Sequence, residues 1–459
     1  MANLKSLAKD TAIYGLSSIV GRFLNYLLVP LYTYYMPHET GDYGVSTNIY
    51  AYTALILVLL TFGMETTLFR FANDEHYKPD TVFSTAMATI GSLTTVFLLM
   101  MAVVVALDAL QALPFSYLRY QKRAIRFASL KLLFIAMNIA LNLFYFVVLG
   151  KTTVFYVFFI NLICTGFITL FFLPDLFRIE WKFDGKLLST MLSYSWPILI
   201  LGIAGILNQV ADKIIFPLVY PDKEQANVLL GDYGSCVKIA MIMAMITQAF
   251  RYAYEPIVFA KSKDADKTEY YASAMKYFLI FTLLAFLCVV GWMPVLQYII
   301  GERYREGLGV VPIVMAAEIM MGVYFNLSFW YKLIDKTIYG AWFSLTGCAV
   351  LFAVNILYIP EYSYWACAWG GVAGYGTAMV LSYIIGQQKN PIPYPMKDIA
   401  TYVIATAVLF AAMKAVPGSW PTVLTLAVNT ILIILFLALI IKKDVPLSSL
   451  PIIGKKFKK

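Results

Sequence analysis

Long apolar stretches, each able to cross a bilayer as a helix, recur along almost the whole chain and restrict it to one class of fold. About 20 apolar residues suffice, because a helix rises about 1.5 Å per residue and must cross about 30 Å of hydrocarbon. Fourteen such stretches are predicted, with the bounds 12–35, 43–70, 81–100, 101–118, 127–149, 152–174, 190–219, 233–259, 270–299, 307–331, 337–358, 364–386, 398–415 and 421–441. The sequence therefore predicts an all-α polytopic membrane protein.

The composition supports this class and excludes others. Of the 459 residues, 61% are hydrophobic and 13% are charged, and the mean hydropathy of +0.75 is far above that of a soluble domain. The net charge of +9 is attributed to basic loops on the cytoplasmic side rather than to nucleic-acid binding. The five cysteines lie in or beside apolar stretches without metal-ligand spacing and are interpreted as packing residues. No cleavable signal pattern is found, so the N-terminus is expected to be retained.

Lysine and arginine predict the orientation. The N-terminal segment is basic, and so is every second connection after it, including 119–126, 178–186 and the C-terminal Lys-Lys-Phe-Lys-Lys. The connections between them carry fewer cations, with Arg303 and Arg305 as the main exception. Both termini are therefore expected in the cytoplasm.

One region fits this alternation poorly. Residues 81–118 must contain two crossings, yet two spans of about 20 residues leave no turn between them. We expect that an outer loop and part of two helices are missing near Leu99–Val103. An intact mass that matches 51.6 kDa would rule out omitted residues as the cause.

Two segments of the chain carry similar motifs in the same order. The tetrad Gly-Asp-Tyr-Gly occurs at 41–44 and at 231–234, each time after an apolar stretch that ends in a Pro-Leu motif. Glu65 and Glu255 then follow at the same offset from the two tetrads. Three matches in order predict two related halves, and transporters with such repeats bind their substrate between the halves near the midplane of the membrane.

Several polar side chains are predicted deep within the spans. A charge there is costly, so it faces a cavity or a partner. The candidates for substrate binding are Arg22, Asn25, Asn138, Asn142, Lys213, Arg251 and Lys276. The candidates for coupling to H⁺ or Na⁺ are Glu65, Asp212, Glu255 and Glu318.

Structural alternatives stay open for most of these residues. Arg251, Lys276, Glu65 and Glu255 lie near predicted cytoplasmic ends, where long side chains reach the interface. The two asparagines can join helices, and Asp212 and Lys213 can neutralise each other. The mid-span cations favour a phosphate or diphosphate ligand, because arginine binds phosphate oxygens with two parallel hydrogen bonds.

Beyond these individual residues, the chain resembles a known family over nearly its whole length. The resemblance rests on short motifs that are informative as a set: 4–11, 14–18, 30–32, 43–44, 63–66, 69–71, 112–114, 118–119, 248–253 and 330–332. Through these motifs the chain is similar to the polysaccharide flippases, the O-antigen and capsule branch of the multidrug/oligosaccharidyl-lipid/polysaccharide (MOP) exporter superfamily.

The resemblance implies two pseudo-symmetric six-helix bundles, here 1–186 and 187–390, with two extra C-terminal helices in 391–459. It implies a flippase of the bacterial inner membrane that moves an undecaprenyl-diphosphate-linked oligosaccharide to the outer leaflet by alternating access. It needs no cofactor, and polysaccharide polymerases and membrane lipids are expected partners. By analogy with related lipid II flippases, Arg22 and Arg251 would bind the diphosphate. The short 81–118 region departs from the family pattern at the outer gate of the first half.

Three alternatives remain at this stage. The chain could be a lipid II flippase or a MATE-like drug/cation antiporter of the same superfamily, although the arginine content argues against the antiporter. A membrane glycosyltransferase or polymerase is the third. That class needs large soluble loops, whereas no predicted connection exceeds about fifteen residues, the length of a simple connection. The chain is therefore expected not to be an enzyme.

Overall fold

A computed structural model shows the chain as an assembly of helices. It describes residues 26–74, 76–98, 103–178, 182–260, 267–332, 334 and 336–444. The helices are α1 Leu28–Tyr35, α2 Asp42–Thr61, α3 Met64–Ala72, α4 Pro79–Leu98, α5 Val103–Tyr120, α6 Ala124–Leu143, α7 Val154–Leu170, α8 Leu173–Arg178, α9 Gly185–Val219, α10 Lys223–Ala260, α11 Lys267–Gly291, α12 Met293–Leu296, α13 Val311–Leu327, α14 Phe329–Lys332, α15 Ile338–Tyr362, α16 Tyr364–Lys389, α17 Met396–Lys414 and α18 Thr422–Lys443. Within these ranges no strand occurs, and the predicted all-α class is confirmed.

Eleven helical segments of the described chain are long and apolar enough to cross a membrane. They correspond one for one to eleven of the predicted spans, with bounds that agree to within about ten residues. The other three predicted spans are 12–35, 81–100 and 101–118, each of which contains residues outside the described ranges. The count of fourteen therefore stays a prediction.

The predicted span 43–70 is two helices rather than one. α2 ends at Thr61 and α3 begins at Met64, and both residues between them, Phe62 and Gly63, have left-handed backbone conformations with φ of 49° and 68°. Glycine adopts this conformation without steric cost, whereas phenylalanine adopts it rarely. The two left-handed residues interrupt the helical hydrogen bonding, and the apolar character of the sequence gives no sign of the break.

Two helices, Pro79–Leu98 and Val103–Tyr120, occupy the region in which the alternation of loop charges predicts two crossings. α4 and α5 pack against each other along their lengths. Residues 99–102, where the missing loop is expected, lie outside the described ranges. The missing segment stays a prediction.

The helices group into two compact units. The first comprises residues 1–235 and 344–370, and the second comprises 236–343 and 371–459. The apolar core of the first unit gathers around Met64, Leu68 and Phe83, and that of the second is mostly aromatic, around Trp330 and Tyr254. The predicted division at 186 and 390 stays a prediction.

The two copies of the Gly-Asp-Tyr-Gly motif lie against each other inside the first unit. A Cβ added to Gly44 would be 1.7 Å from the backbone oxygen of Asn227 and 2.9 Å from the nitrogen of Gly231. The helices α2 and α10 thus approach as closely as two glycines permit. The imidazole of His38, in the loop before α2, contacts the carboxylate of Asp232 at 2.8 Å. The repeated motif therefore forms the crossing of α2 with α10.

Gly44→Ala should destabilise the protein because no side chain fits between the two backbones. The expected loss in free energy of unfolding is about 1–3 kcal/mol, the range for overpacking a tight contact. Thermal unfolding of the detergent-solubilised protein would show a lower Tm. It can be followed with a thiol-reactive dye, which reacts with cysteines as unfolding exposes them.

Gly166→Ala is the matched control. Gly166 also lies within a helix of the first unit, but a Cβ there meets no atom within 4 Å. This variant should keep the Tm of the parent. An unchanged Tm for Gly44→Ala would contradict the close crossing.

Candidate functional site

Some of the predicted site residues cannot be placed. Arg22 and Asn25 lie outside the described residues, and so does the side chain of Glu255. Their roles stay predictions. The other eight candidates belong to separate clusters, three in the first unit and at least two in the second.

Asp212 and Lys213 form an ion pair in the first unit, in which Asp212 is buried and Lys213 half-buried. The ammonium of Lys213 lies 2.9 Å from Oδ2 of Asp212 and also donates to the carbonyl of Gln209 at 3.2 Å. The hydroxyl of Tyr233 donates to the same carboxylate oxygen at 2.6 Å, and its ring lies 5.6 Å from the ammonium. The exposed fractions of the two charged side chains are 11% and 18%. The structure thus corresponds to the alternative in which the two charges neutralise each other.

Four helices of the first unit surround this pair. α9 provides both charges and α10 provides Tyr233. From α2, the amide of Asn48 donates to the carbonyl of Lys213 at 2.7 Å, and from α16 the thiol of Cys367 lies 3.9 Å from the carbonyl of Asp212. The hydroxyl of Tyr233 thus links the pair to α10, whereas α2 and α16 contact the backbone carbonyls of the same two residues.

Asn138 and Asn142 belong to a chain of hydrogen bonds in the first unit. The hydroxyl of Tyr32 donates to Asn142 at 2.8 Å, and the Asn142 amide donates to the backbone and side chain of Asn138 at 2.8 and 3.2 Å. Asn138 then donates to Asn161 at 3.1 Å, and Asn161 donates to Tyr50 at 2.7 Å. The chain links α1, α6, α7 and α2, in the manner of polar residues that join membrane helices.

Lys276 lies in an ionic network of the second unit. Its ammonium is 2.6 Å from Asp444 and 3.6 Å from Asp398. Lys443 contacts Asp398 at 2.8 Å, and the hydroxyl of Tyr402 donates to Asp444. The network joins α11 to α17 and α18, the two C-terminal helices. Lys276 is thus already paired with two carboxylates of its own unit.

Arg251 has a different environment, close to a second cation. The guanidinium carbon of Arg251 lies 4.4 Å from the ring centroid of Phe325, and the ammonium of Lys332 lies 4.7 Å from the same centroid. The Lys332 ammonium is also 5.0 Å from the ring of Phe329. The two charges are therefore no more than about 9 Å apart, a distance at which they repel by about 2 kcal/mol at an effective dielectric constant of 20. We call Arg251, Lys332, Phe325 and Phe329 the two-cation cluster.

The acidic candidates differ in their surroundings. Glu318 is half-buried within α13. Glu65 is exposed in α3 and accepts a hydrogen bond from Ser116 at 3.0 Å. Glu65 also interacts electrostatically with Lys131 of α6, a residue absent from the predicted site. Lys131 lies close to the predicted start of its span, where lysines commonly reach the interface, so the sequence alone did not mark it.

Metal binding finds no support in the described ranges. There, no group of three or more His, Cys, Asp or Glu side chains is arranged to hold a metal ion. The cysteines with described surroundings are free thiols, four buried and one half-buried.

Solved structures of transporters match this fold. No family profile matches the chain, and no curated protein matches it significantly. The lipid II flippase MurJ in an inward closed conformation superposes with a TM-score of 0.70 at 12% identity, over 93% of this chain and 98% of that chain. An inward-facing multidrug resistance transporter of the MATE family, from the MOP superfamily, gives 0.61 at 13% identity, over 84% of this chain and 96% of that chain.

The chain has the fold of these transporters. An outward-facing multidrug resistance MATE transporter also matches, with a TM-score of 0.51 at 13% identity, over 86% of this chain and 96% of that chain. These neighbours are flippases and transporters rather than enzymes. At such low identity the likeness establishes the fold, so cargo and residue roles must come from the chain itself.

A double-mutant cycle separates the structural role of Asp212 and Lys213 from a role in binding. Asp212→Leu should destabilise the protein by about 3 kcal/mol, because it leaves the Lys213 ammonium buried without its counter-charge. Asp212→Leu/Lys213→Met removes both charges and should restore most of the Tm. The measurement is the Tm of each purified variant.

Transport by the same variants gives the second readout. If the pair only joins helices, the double variant transports as well as the parent once its Tm is restored. A double variant with restored Tm but lost transport would assign the pair to the cargo or ion pathway.

Proposed function

We propose that this protein is a flippase for a lipid-linked oligosaccharide that carries a diphosphate. It moves the lipid from the inner to the outer leaflet of the bacterial cytoplasmic membrane by alternating access. The cargo is an undecaprenyl-diphosphate-linked repeat unit of a surface polysaccharide, which a polymerase consumes on the outer side. The reaction forms and breaks no covalent bond.

The observation that carries the proposal is the two-cation cluster. Two cationic side chains that contact the same aromatic ring suit a ligand with two adjacent negative groups, and a diphosphate is such a ligand. The guanidinium of Arg251 can bind phosphate oxygens through two parallel hydrogen bonds, while the ammonium of Lys332 interacts as a compact charge. A bound diphosphate would also reduce the repulsion between the two cations.

The predicted orientation supports loading from the inner leaflet. Lys332 begins a basic connection that the alternation of charges assigns to the cytoplasm. Arg251 lies near the end of α10 that the same alternation assigns to the cytoplasm. A lipid-linked cargo made on the cytoplasmic side would present its headgroup at this depth. Its polyprenyl chain would stay in the hydrocarbon.

The roles assigned to other residues follow from their surroundings. Arg22 is proposed as a further diphosphate ligand besides Arg251 and Lys332, with Asn25 on the same helix face. For Lys213, Lys276, Asn138 and Asn142, each held by the contacts described above, an indirect contribution to cargo binding is proposed. The carboxylates proposed for ion coupling are Glu65, Asp212, Glu255 and Glu318.

Lipid II is the second candidate cargo. The lipid II flippase MurJ shares the fold, and lipid II also carries a polyprenyl diphosphate. The two-cation cluster would serve either lipid. The two lipids differ in their sugar and peptide groups, and the charges of the two-cation cluster do not discriminate between those groups.

Deleting the gene and measuring lipid-linked glycans in each leaflet distinguishes the candidates. We expect an undecaprenyl-diphosphate oligosaccharide to accumulate in the inner leaflet while wall synthesis continues. Accumulation of lipid II together with lysis would move the assignment to the peptidoglycan precursor. If neither lipid accumulated, the flippase proposal would fail in favour of small-molecule export.

Removal of the charges tests the two-cation cluster. Arg251→Gln and Lys332→Gln should each lower transport about tenfold, because a hydrogen bond to a charged group contributes about 1.5 kcal/mol and 1.4 kcal/mol is a factor of ten. The measurement is surface polysaccharide restored to the deletion strain, normalised to the amount of protein in the membrane.

Lys414→Gln is the matched control. Its ammonium lies 6.0 Å from the ring of Phe410 in the same unit, at the end of α17 predicted to face outward. This variant should transport normally. Equal activity of all three variants would remove the diphosphate role from the cluster.

A further inference from the structure

A set of charged side chains inside the first unit joins Glu65, already proposed for ion coupling, to two residues that have no role above. It consists of Asp108 on α5, Lys131 on α6 and Glu65 on α3. Asp108 and Lys131 are half-buried. We call these three residues the charge triad.

Lys131 interacts electrostatically with both Asp108 and Glu65, yet no ion pair joins it to either one in the described part of the chain. Its ammonium rests 4.0 Å from the ring centroid of Phe115. Phe115 is buried against Phe127 and Phe172 in edge-to-face contacts, which fix the ring beneath the ammonium.

Each carboxylate is positioned by a neutral hydroxyl instead. Thr165 of α7 donates to Asp108 at 3.2 Å, and Ser116 of α5 donates to Glu65 at 3.0 Å. Thr165 is itself fixed, because its carbonyl accepts from the buried Gln111 at 2.8 Å. The hydroxyl bonds position the carboxylates without neutralising them.

Among the described residues, Lys131 is the charged side chain that acts on Asp108. From α2, Tyr50 interacts electrostatically with Asp108. The acid of α4, Asp80, accepts from Tyr117 at the far end of α5. From α7, Thr165 donates to Asp108. Within the described residues, two carboxylates therefore share one lysine.

We propose that the charge triad is a proton-binding switch of the first unit. In one state Lys131 pairs with Asp108 and both carboxylates are ionised. When a proton from water binds the Asp108 carboxylate, the resulting neutral acid no longer attracts the ammonium, and Lys131 pairs with Glu65. When Lys131 returns, the proton goes back to water.

The physical basis is the opposition of two effects. Removal from water disfavours the charged form of a carboxyl group, and a nearby ammonium favours it. The protonation state of Asp108 therefore depends on the position of Lys131. Because the three residues lie on three helices, moving Lys131 between partners changes the contacts among α3, α5 and α6.

Infrared difference spectroscopy of the purified full-length protein in lipid vesicles tests the proposal without any cargo. Exchanging the buffer between about pH 8 and about pH 5 should produce the carbonyl band of a protonated carboxyl group, at a pH where an ordinary aspartate in water is ionised. Asp108→Asn should remove one such band per molecule. Asp184→Asn is the control, since Asp184 is a helix cap in the same unit and asparagine caps equally well.

Two further variants keep the test informative if Asp108→Asn does not fold. Glu65→Gln removes the alternative partner, so Lys131 stays with Asp108 and the band at low pH should weaken. Lys131→Arg keeps a cation at the same position and should keep the band. A parent protein with no carboxyl band at low pH, or variants that all keep it, would overturn the switch.

The result is independent of the proposed cargo. A lost band in Asp108→Asn would support the switch even if the deletion strain accumulated no lipid-linked glycan. An intact cargo phenotype with unchanged infrared spectra would reject the switch and leave the flippase proposal standing.

Discussion

The need to compensate charge in a low-dielectric interior organises the polar contacts of both units. Moving an ion out of water costs several kcal/mol, so a charge inside the membrane is stable only with a counter-charge and hydrogen bonds. Asp212 and Lys213 meet this condition on one helix with the help of Tyr233. Lys276 meets it with Asp444 and Asp398 from the C-terminal helices. The apolar helices thus supply the span, and the network of Lys276 joins α11 to the two C-terminal helices.

Local features of the sequence predict the helices, because a membrane span needs only a sufficient length of apolar residues. The break between α2 and α3 is different. It results from two left-handed residues, and the residue type of Phe62 does not predict that conformation. The repeat motif was recognisable in the sequence, but the contact between Gly44 and Asn227 joins residues far apart in the chain.

The candidate site was predicted only in part for the same reason. Charged residues inside spans can be found by inspection, whereas their partners cannot: Lys276 bonds a residue 168 positions later, and Tyr32 bonds Asn142 across 110 positions. Such contacts require the tertiary fold. Lys332 and Lys131 lie near span ends, where the sequence gives equal weight to an interfacial role, and only their positions on Phe325 and Phe115 distinguish them.

Helix α2 carries both the glycine crossing and Tyr50, a residue that interacts electrostatically with the Asp108 of the charge triad. Tyr50 is six residues from Gly44 on α2, or about 9 Å along the helix axis. A crossing in which no methyl group fits cannot adjust gradually, because packed interfaces tend to change between discrete arrangements. A change of partner at Lys131 alters the packing of α3 and α5, both of which contact α2 directly or through its break at Gly63. The binding of one proton could therefore act on the α2 crossing through rigid helices within a single unit, with no need for the cargo to transmit the signal.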